Sequence, residues 1–195
     1  LMVCAYLKRF GANAVSMPVI PDDPDAIRNA LTTAITASDL VIIGAGSSKG
    51  TKDYTMDVLE TLGTVIVQEL CVAPGKHCSL TMAGHIPVLG IPGPPGGARL
   101  ITRYYAKAAV DLLYTGQILS PESVSAILDE DVSPKWIDFM QPVSLYEKDG
   151  ILYAHPEKSF GLTWAQSLRC SHSYFYCQRK TAYQKGLRIL AETPL

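Results

Sequence analysis

The sequence predicts an α/β protein, with a mainly parallel three-layer α/β/α sheet over residues 1–117 and a small β domain over 118–195. Three observations carry that expectation. Short apolar runs alternate with amphipathic helical stretches through the first part, as they do where helices connect parallel strands. Leu40–Ile43 is continuously apolar, the pattern of a strand covered on both faces. After Gly116 the chain changes to short runs punctuated by Pro121, Pro134 and Pro142, with Asp149-Gly150 as a two-residue hairpin signal.

The elements follow in order. Met2, Val3, Tyr6, Leu7 and Phe10 fall at helical spacing and Gly11 stops them, so a doubly wound domain leads us to expect a strand upstream of Leu1. Ala14–Ile20 reads as a strand. Asp23-Pro24 then supplies a helix cap followed by proline at the first helical position, and Ile27, Ala30, Leu31, Ala34 and Ile35 form the buried face. The strand Leu40–Ile43 leads into a glycine-rich loop from Gly44 to Gly50. A helix starting near Asp53 and carrying Met56, Val58 and Leu59 comes next, and then a strand at Thr64–Val67. Ile86–Ile91 is another strand, closed by the loop Pro92–Gly97 and followed by a long helix from Ala98 to near Tyr114. In the tail, Val143–Tyr146 and Ile151–Ala154 flank the hairpin signal, and Lys185-Gly186 precedes a last strand, Leu187–Ala191.

Composition narrows the function classes. A hydrophobic content of 48%, a charged content of 18% and a net charge of -1 describe a chain that packs a core and has no long-range attraction for nucleic acid or anionic lipid. Its apolar stretches are too short to cross a bilayer, so we expect a cytoplasmic protein with a small-molecule ligand and neither a nucleic-acid nor a membrane partner. The five cysteines include no CxxC pair and read as reduced, buried thiols. Cys71 and Cys78 with His77, or Cys170 and Cys177 with His172, lack the tight spacing of a metal site.

Two loops carry candidate chemistry. Gly44-Ala45-Gly46-Ser47-Ser48-Lys49-Gly50-Thr51-Lys52-Asp53 runs from the carboxyl end of a buried strand to a helix start, where open parallel sheets bind ligands. Gly46 and Gly50 let a phosphate approach the backbone, and Ser47, Ser48 and Thr51 add hydroxyls. The loop matches neither the GxxxxGK[ST] nor the GxGxxG pattern, and it reads equally as an ordinary strand-to-helix turn. Asp53 is either a helix cap or, beside a phosphate, a magnesium ligand. The second loop, Ile91-Pro92-Gly93-Pro94-Pro95-Gly96-Gly97-Ala98, has the same placement, and its prolines make a stiff wall for a flat or bulky ligand. Between them Pro74-Gly75-Lys76 presents one lysine, either as an oxyanion partner or as solvated surface.

In this order and at these separations, Ala45–Asp53, Pro74–His77 and Ile91–Ala98 resemble the GGxSxGxxD, PGKP and LPGNPxSA segments of the MoeA and gephyrin E-domain family, the molybdopterin molybdenumtransferases. Val19-Ile20-Pro21-Asp22-Asp23 is similar to that family's pre-helix turn. Leu145–Pro156, Ser167-Leu168 and Lys185-Gly186-Leu187 resemble its small C-terminal β-barrel-like domain. The resemblance implies a MogA-like molybdopterin-binding domain followed by that β domain, and a cytoplasmic homodimer. It also implies a site where adenylylated molybdopterin receives molybdate and AMP is released with Mg2+. Carried onto this chain, Gly46, Ser47, Ser48 and Gly50 line the phosphate side, and Asp53 serves as catalytic carboxylate and metal ligand. Lys76, in the turn with Pro74 and Gly75, holds molybdate, and Pro92, Gly93 and Pro95 form the pterin-side wall.

The chain departs from the family pattern at Ala45, Thr51, Ala73, His77, Pro94 and Gly97. Ala73 stands where the first of two lysines is expected, so a dianion meets one cation and is held more weakly. Pro94 and Gly97 remove two polar contacts. Beside the transferase reading stand two alternatives, a non-catalytic molybdopterin or pterin-nucleotide binding module and a dimer scaffold.

Overall fold

A computed structural model describes residues 1–44, 54–157 and 173–193. The chain forms two compact units, one of Leu1–Leu70 with Gly75–Leu119, the other of Cys71–Pro74 with Ser120–Leu195. The tetrapeptide Cys71–Pro74 thus belongs with the second unit, whereas the sequence reading assigned all of 1–117 to the first domain.

Along the chain, helix α1 (Met2–Arg9) ends at Gly11, whose φ is 88°. Helix α2 (Pro24–Ala37) is capped as expected, the Asp23 carboxylate accepting from the Ala26 N–H at 2.9 Å. Strand β1 (Val41–Gly44), helix α3 (Tyr54–Leu62) and strand β2 (Thr64–Val67) follow. Strand β3 (Val72–Ala73) lies in the second unit, and β4 (Ser79–Ala83) and β5 (Ile86–Ile91) return to the first. The long helix is divided into α4 (Pro95–Ile101), a π-helical turn (Thr102–Ala106) and α5 (Lys107–Thr115), which Gly116 ends in the left-handed conformation. Thr102 Oγ1 donates to the Ala98 carbonyl at 2.7 Å, the local back-bonding that bends a helix where the turn widens.

In the first unit the strands lie in the order β1, β5, β4, β2. Successive side chains point to opposite faces, which sorts the core into two layers. Val41 and Val88 face Ile27, Leu31, Val58 and Leu59 from α2 and α3. Ile42, Leu89 and Ile91 face Val3 and Leu7 of α1, Ala98 and Ile101 of α4, and Ala106. The α/β class with a sheet covered on both faces is therefore as expected. Its strand directions differ in part, since β1 and β5 are parallel while β4 runs antiparallel to both β5 and β2. The cause is β4, which the sequence reading did not recognise. Only Gly84-His85 separates it from β5, and so short a connection admits only an antiparallel hairpin.

Ala14–Ile20, expected as a strand, is not one. No described strand lies beside it to take its hydrogen bonds, and Val15 and Val19 are 80% and 99% exposed while Ile20 alone packs on the core.

The second unit is a closed five-stranded barrel. β6 (Ser123–Leu128), β7 (Asp138–Lys148), β8 (Ile151–Pro156), β9 (Ser173–Cys177) and β10 (Arg188–Glu192) pair in the cycle β7, β8, β6, β10, β9 and back to β7, with β3 added outside β7. Each barrel strand sends at least one fully buried residue inward: Ala126 and Leu128 from β6, Val143 from β7, Ala154 from β8, Cys177 from β9 and Ala191 from β10. The β7–β8 hairpin turns on Asp149 and Gly150 at φ of 53° and 74°, the two positive values a type I′ turn requires.

Candidate functional site

Register places two described loops at one end of the first sheet. Gly44, the last residue of β1, sits opposite Ile91, the last residue of the parallel neighbour β5. Segment 92–94 therefore leaves β5 at the carboxyl ends of adjacent parallel strands, the position where open α/β sheets hold ligands. Ser79, the first residue of antiparallel β4, pairs with Gly90, so the chain that enters β4 through Lys76 and His77 arrives at the same end.

Of the residues singled out in the first loop, Gly46, Ser47, Ser48, Gly50 and Asp53 lie outside the described residues. The other two segments meet. Gly75, at φ 140°, packs on α4, and a Cβ built there would lie 2.9 Å from Ile101 Cδ1. A Cβ on Gly97 would lie 3.0 Å from two carbons of Pro92 and 3.6 Å from the Gly75 nitrogen. By sequence Gly97 is a lost polar contact; the structure shows it packed where the turn and the second loop touch. Pro92 is buried beneath this contact, whereas Gly93, Pro94 and Pro95 are exposed and leave the outer wall of the loop to solvent. Pro94 caps α4 and Pro95 opens it, the place where a missing N–H costs no helical hydrogen bond. Pro74 follows a cis peptide bond from Ala73 at the end of the second unit's short strand.

Lys76 is not a bare cation. Its Nζ lies 3.6 Å from Glu69 Oε2, and His77 Nδ1 lies 3.3 Å from the other oxygen of the same carboxylate without a hydrogen bond between them. The arrangement is set by the backbone, because the Leu70 N–H donates to the Lys76 carbonyl at 2.8 Å. Glu69 had no signal in the sequence: six residues lie between it and Lys76, and only the returning turn brings them together.

The sequence reading also passed over two buried arginines behind the loop. Arg99 is 5% exposed and its Nε donates to Tyr6 Oη at 3.2 Å, tying α4 to α1. Arg103, on the π-helical turn, is 4% exposed and its guanidinium centre lies 5.8 Å from the Tyr104 ring. Next to His77, burial pushes the Cys78 thiol up to about 11, so it is a neutral packing group and not a thiolate. Burial and, behind it, Cys78 raise the Tyr105 phenol. Among the described residues no group of three His, Cys, Asp or Glu side chains is placed to hold a metal ion.

These features define an α/β domain in which a turn and a proline-rich loop meet at one end of the sheet, and a β barrel. The family described as "Probable molybdopterin binding domain" matches residues 1–111. Two relatives named molybdopterin molybdenumtransferase are 32% identical over 104 residues, from Nostoc, and 31% identical over 98 residues, from Haemophilus influenzae. The matched part covers 51% and 50% of this chain but only 24% of each relative, so the chain spans about a quarter of their length. A molybdopterin biosynthesis MoeA protein from Pyrococcus horikoshii superposes with a TM-score of 0.79 at 22% identity, covering 98% of this chain and 46% of that one. A molybdenum cofactor biosynthesis protein from Pyrococcus furiosus gives 0.75 at 22% identity, covering 98% and 62%. At such identities the structural likeness speaks for the fold alone, and it extends over both units. The chain belongs to the molybdopterin-binding domain family of molybdenum-cofactor biosynthesis.

Proposed function

We propose that this chain is the ligand-binding portion of a molybdopterin molybdenumtransferase, taking molybdopterin or its adenylylated form at the β1–β5 strand ends and receiving molybdate, with release of AMP. The observation that carries the reading is the meeting of the Gly75 turn and the Pro92 loop at the carboxyl ends of β1 and β5, with Gly75, Pro92 and Gly97 packed together. Such close backbone approach leaves a rigid surface with little side-chain bulk against which a flat ring system can lie. In this reading Gly46, Ser47, Ser48 and Gly50 receive the phosphate, Pro92, Gly93 and Pro95 face the pterin, and Lys76 with the Pro74-Gly75 turn receives the oxyanion.

Mg2+ is assigned to Asp53 on the family resemblance. The described residues supply no cage for the ion. The chain's own residues orient and bind: backbone donors and one lysine meet anionic oxygens, and the proline loop limits water on the pterin side.

Calorimetric titration with molybdopterin and its adenylylated form, with and without molybdate and magnesium, tests the reading. Saturation at one ligand per subunit, at least tenfold weaker in Asp53→Ala, is expected, together with AMP release that requires both molybdate and magnesium. Absence of binding to the intact protein would overturn it.

A second reading is favoured by Ala73 and by the Glu69 carboxylate beside Lys76: a module that binds the same ligand without turnover. Stoichiometric binding with no AMP release distinguishes it. Homodimerisation is proposed as well, supported by the exposed Leu112, Leu113 and Tyr114 on α5, at 51%, 52% and 66%. Sedimentation that shows only monomer at micromolar concentration would reject both the dimer and a scaffold role. A cytoplasmic location completes the proposal; no helix among the described residues is long and apolar enough to cross a membrane.

A further inference from the structure

We propose that Glu69 is a resident competitor of the oxyanion site: its carboxylate stands against Lys76 and must be displaced, or tolerated, by an incoming tetrahedral dianion. The inference rests on the reading of Lys76 as the oxyanion-binding lysine and adds the residue that sets the affinity of that lysine.

Three observations support it. First, Glu69 divides its two oxygens, Oε2 standing 3.6 Å from Lys76 Nζ and Oε1 3.3 Å from His77 Nδ1, so the carboxylate is held between the two side chains that enter β4. Second, the Leu70 N–H to Lys76 carbonyl bond of 2.8 Å joins the segment that follows Glu69 to the one that enters β4, which keeps Glu69 beside its partners. Third, the pair is open to solvent, with Lys76 at 47% and Glu69 at 39% side-chain exposure, so an anion from solution can reach the lysine. An ion pair so exposed is weak and exchangeable, which suits a competitor and not a structural clamp.

The chemistry follows from charge. A dianion that approaches Lys76 meets one positive group and, within the same few ångströms, a fixed negative one. Its attraction to the lysine is offset by repulsion from Glu69, and Ala73 contributes no second cation. Discrimination among oxyanions then depends on the ligand that arrives with them: free molybdate or sulfate binds poorly, and the site fills when the rest of the ligand supplies binding energy elsewhere in the loop cluster.

The test is equilibrium binding of sodium molybdate, with sodium sulfate as a comparison, to the intact protein and to Glu69→Gln, Lys76→Ala and the double variant at low ionic strength. A circular-dichroism melt shows that each is folded, and Glu69→Ala provides a second charge removal. Glu69→Gln is expected to tighten molybdate about three- to tenfold, from the loss of one like charge at contact range in a solvated setting. The gain should vanish in the double variant and shrink at about 0.5 M sodium chloride, where exposed charges are screened. Unchanged affinity in Glu69→Gln, or a gain that survives loss of Lys76, overturns the inference. If Lys76→Ala leaves molybdate binding intact, or if no variant binds, the underlying reading of Lys76 falls instead.

Discussion

Gly75→Ala is the most informative single change to the loop cluster. The glycine sits at φ 140°, where an L-residue is strained, and the added methyl would lie 2.9 Å from Ile101 Cδ1 and 3.4 Å from Ile101 Cγ1 and Leu100 Cδ2. Backbone strain of this kind costs about 1–3 kcal/mol. Ile101 is fully buried and cannot swing into solvent, so overpacking adds about 1–3 kcal/mol. The expected loss of about 2–6 kcal/mol should lower the melting midpoint by about 4–24 °C in a chain of this size. Urea denaturation of Gly75→Ala, Ile101→Val and the double variant separates the two contributions. Ile101→Val alone costs about 1 kcal/mol. Because it removes the very atom nearest the new methyl, the double variant should lose about 1–2 kcal/mol less than the sum of the singles. Strict additivity, or a Gly75→Ala cost below about 1 kcal/mol, would refute the claim that the turn is pressed onto α4. Gly97→Ala is the contrast: its φ is ordinary, it lies in a helix, and its nearest neighbours are Pro92 carbons at 3.0 Å. The helical preference for alanine, about 1 kcal/mol, offsets the crowding, and stability should change little.

Other expectations concern the buried thiols and the barrel. With Cys78 pushed up to about 11 and Cys177 to about 12, both by burial, an aromatic disulfide reagent at pH 8 should modify exposed Cys71 rapidly and leave these two intact until the protein unfolds. The linkage has a definite sign. The folded state holds these protons above the ordinary thiol value of 9.0, so their contribution is fully present below pH 9 and is lost as pH rises toward 11; a flat stability profile between those limits would contradict it. Leu128→Ala removes a fully buried side chain from the barrel core and should cost about 2–5 kcal/mol in urea denaturation, whereas Leu190→Ala on the neighbouring strand, 68% exposed, should cost little.

Local chemistry made much of this fold legible. Asp23-Pro24 announced α2 because a carboxylate cap and a fixed proline φ act within one turn, and Asp149-Gly150 announced the β7–β8 hairpin because only such residues adopt two consecutive positive φ values cheaply. Leu40–Ile43 read as a covered strand, and the two glycine and proline loops stood out by composition and by their position between strand and helix.

What the sequence could not decide were the features made by partners distant along the chain. Ala14–Ile20 has strand composition, yet a strand needs a neighbour for its hydrogen bonds, and no described strand supplies one. Ser79–Ala83 became a strand through antiparallel pairing with both β5 and β2, which makes it the reversed strand among the four described. Lys76 looked like a solitary cation until the turn brought Glu69 to 3.6 Å, and Gly97 looked like a missing hydroxyl until Pro92 and Gly75 were seen against it. By itself, then, the sequence determined which residues cap, turn and pack, because those preferences act over a few bonds. Only the tertiary structure decided which side chains share the candidate site, because strand register sets which loops and turns arrive at the same end of the sheet.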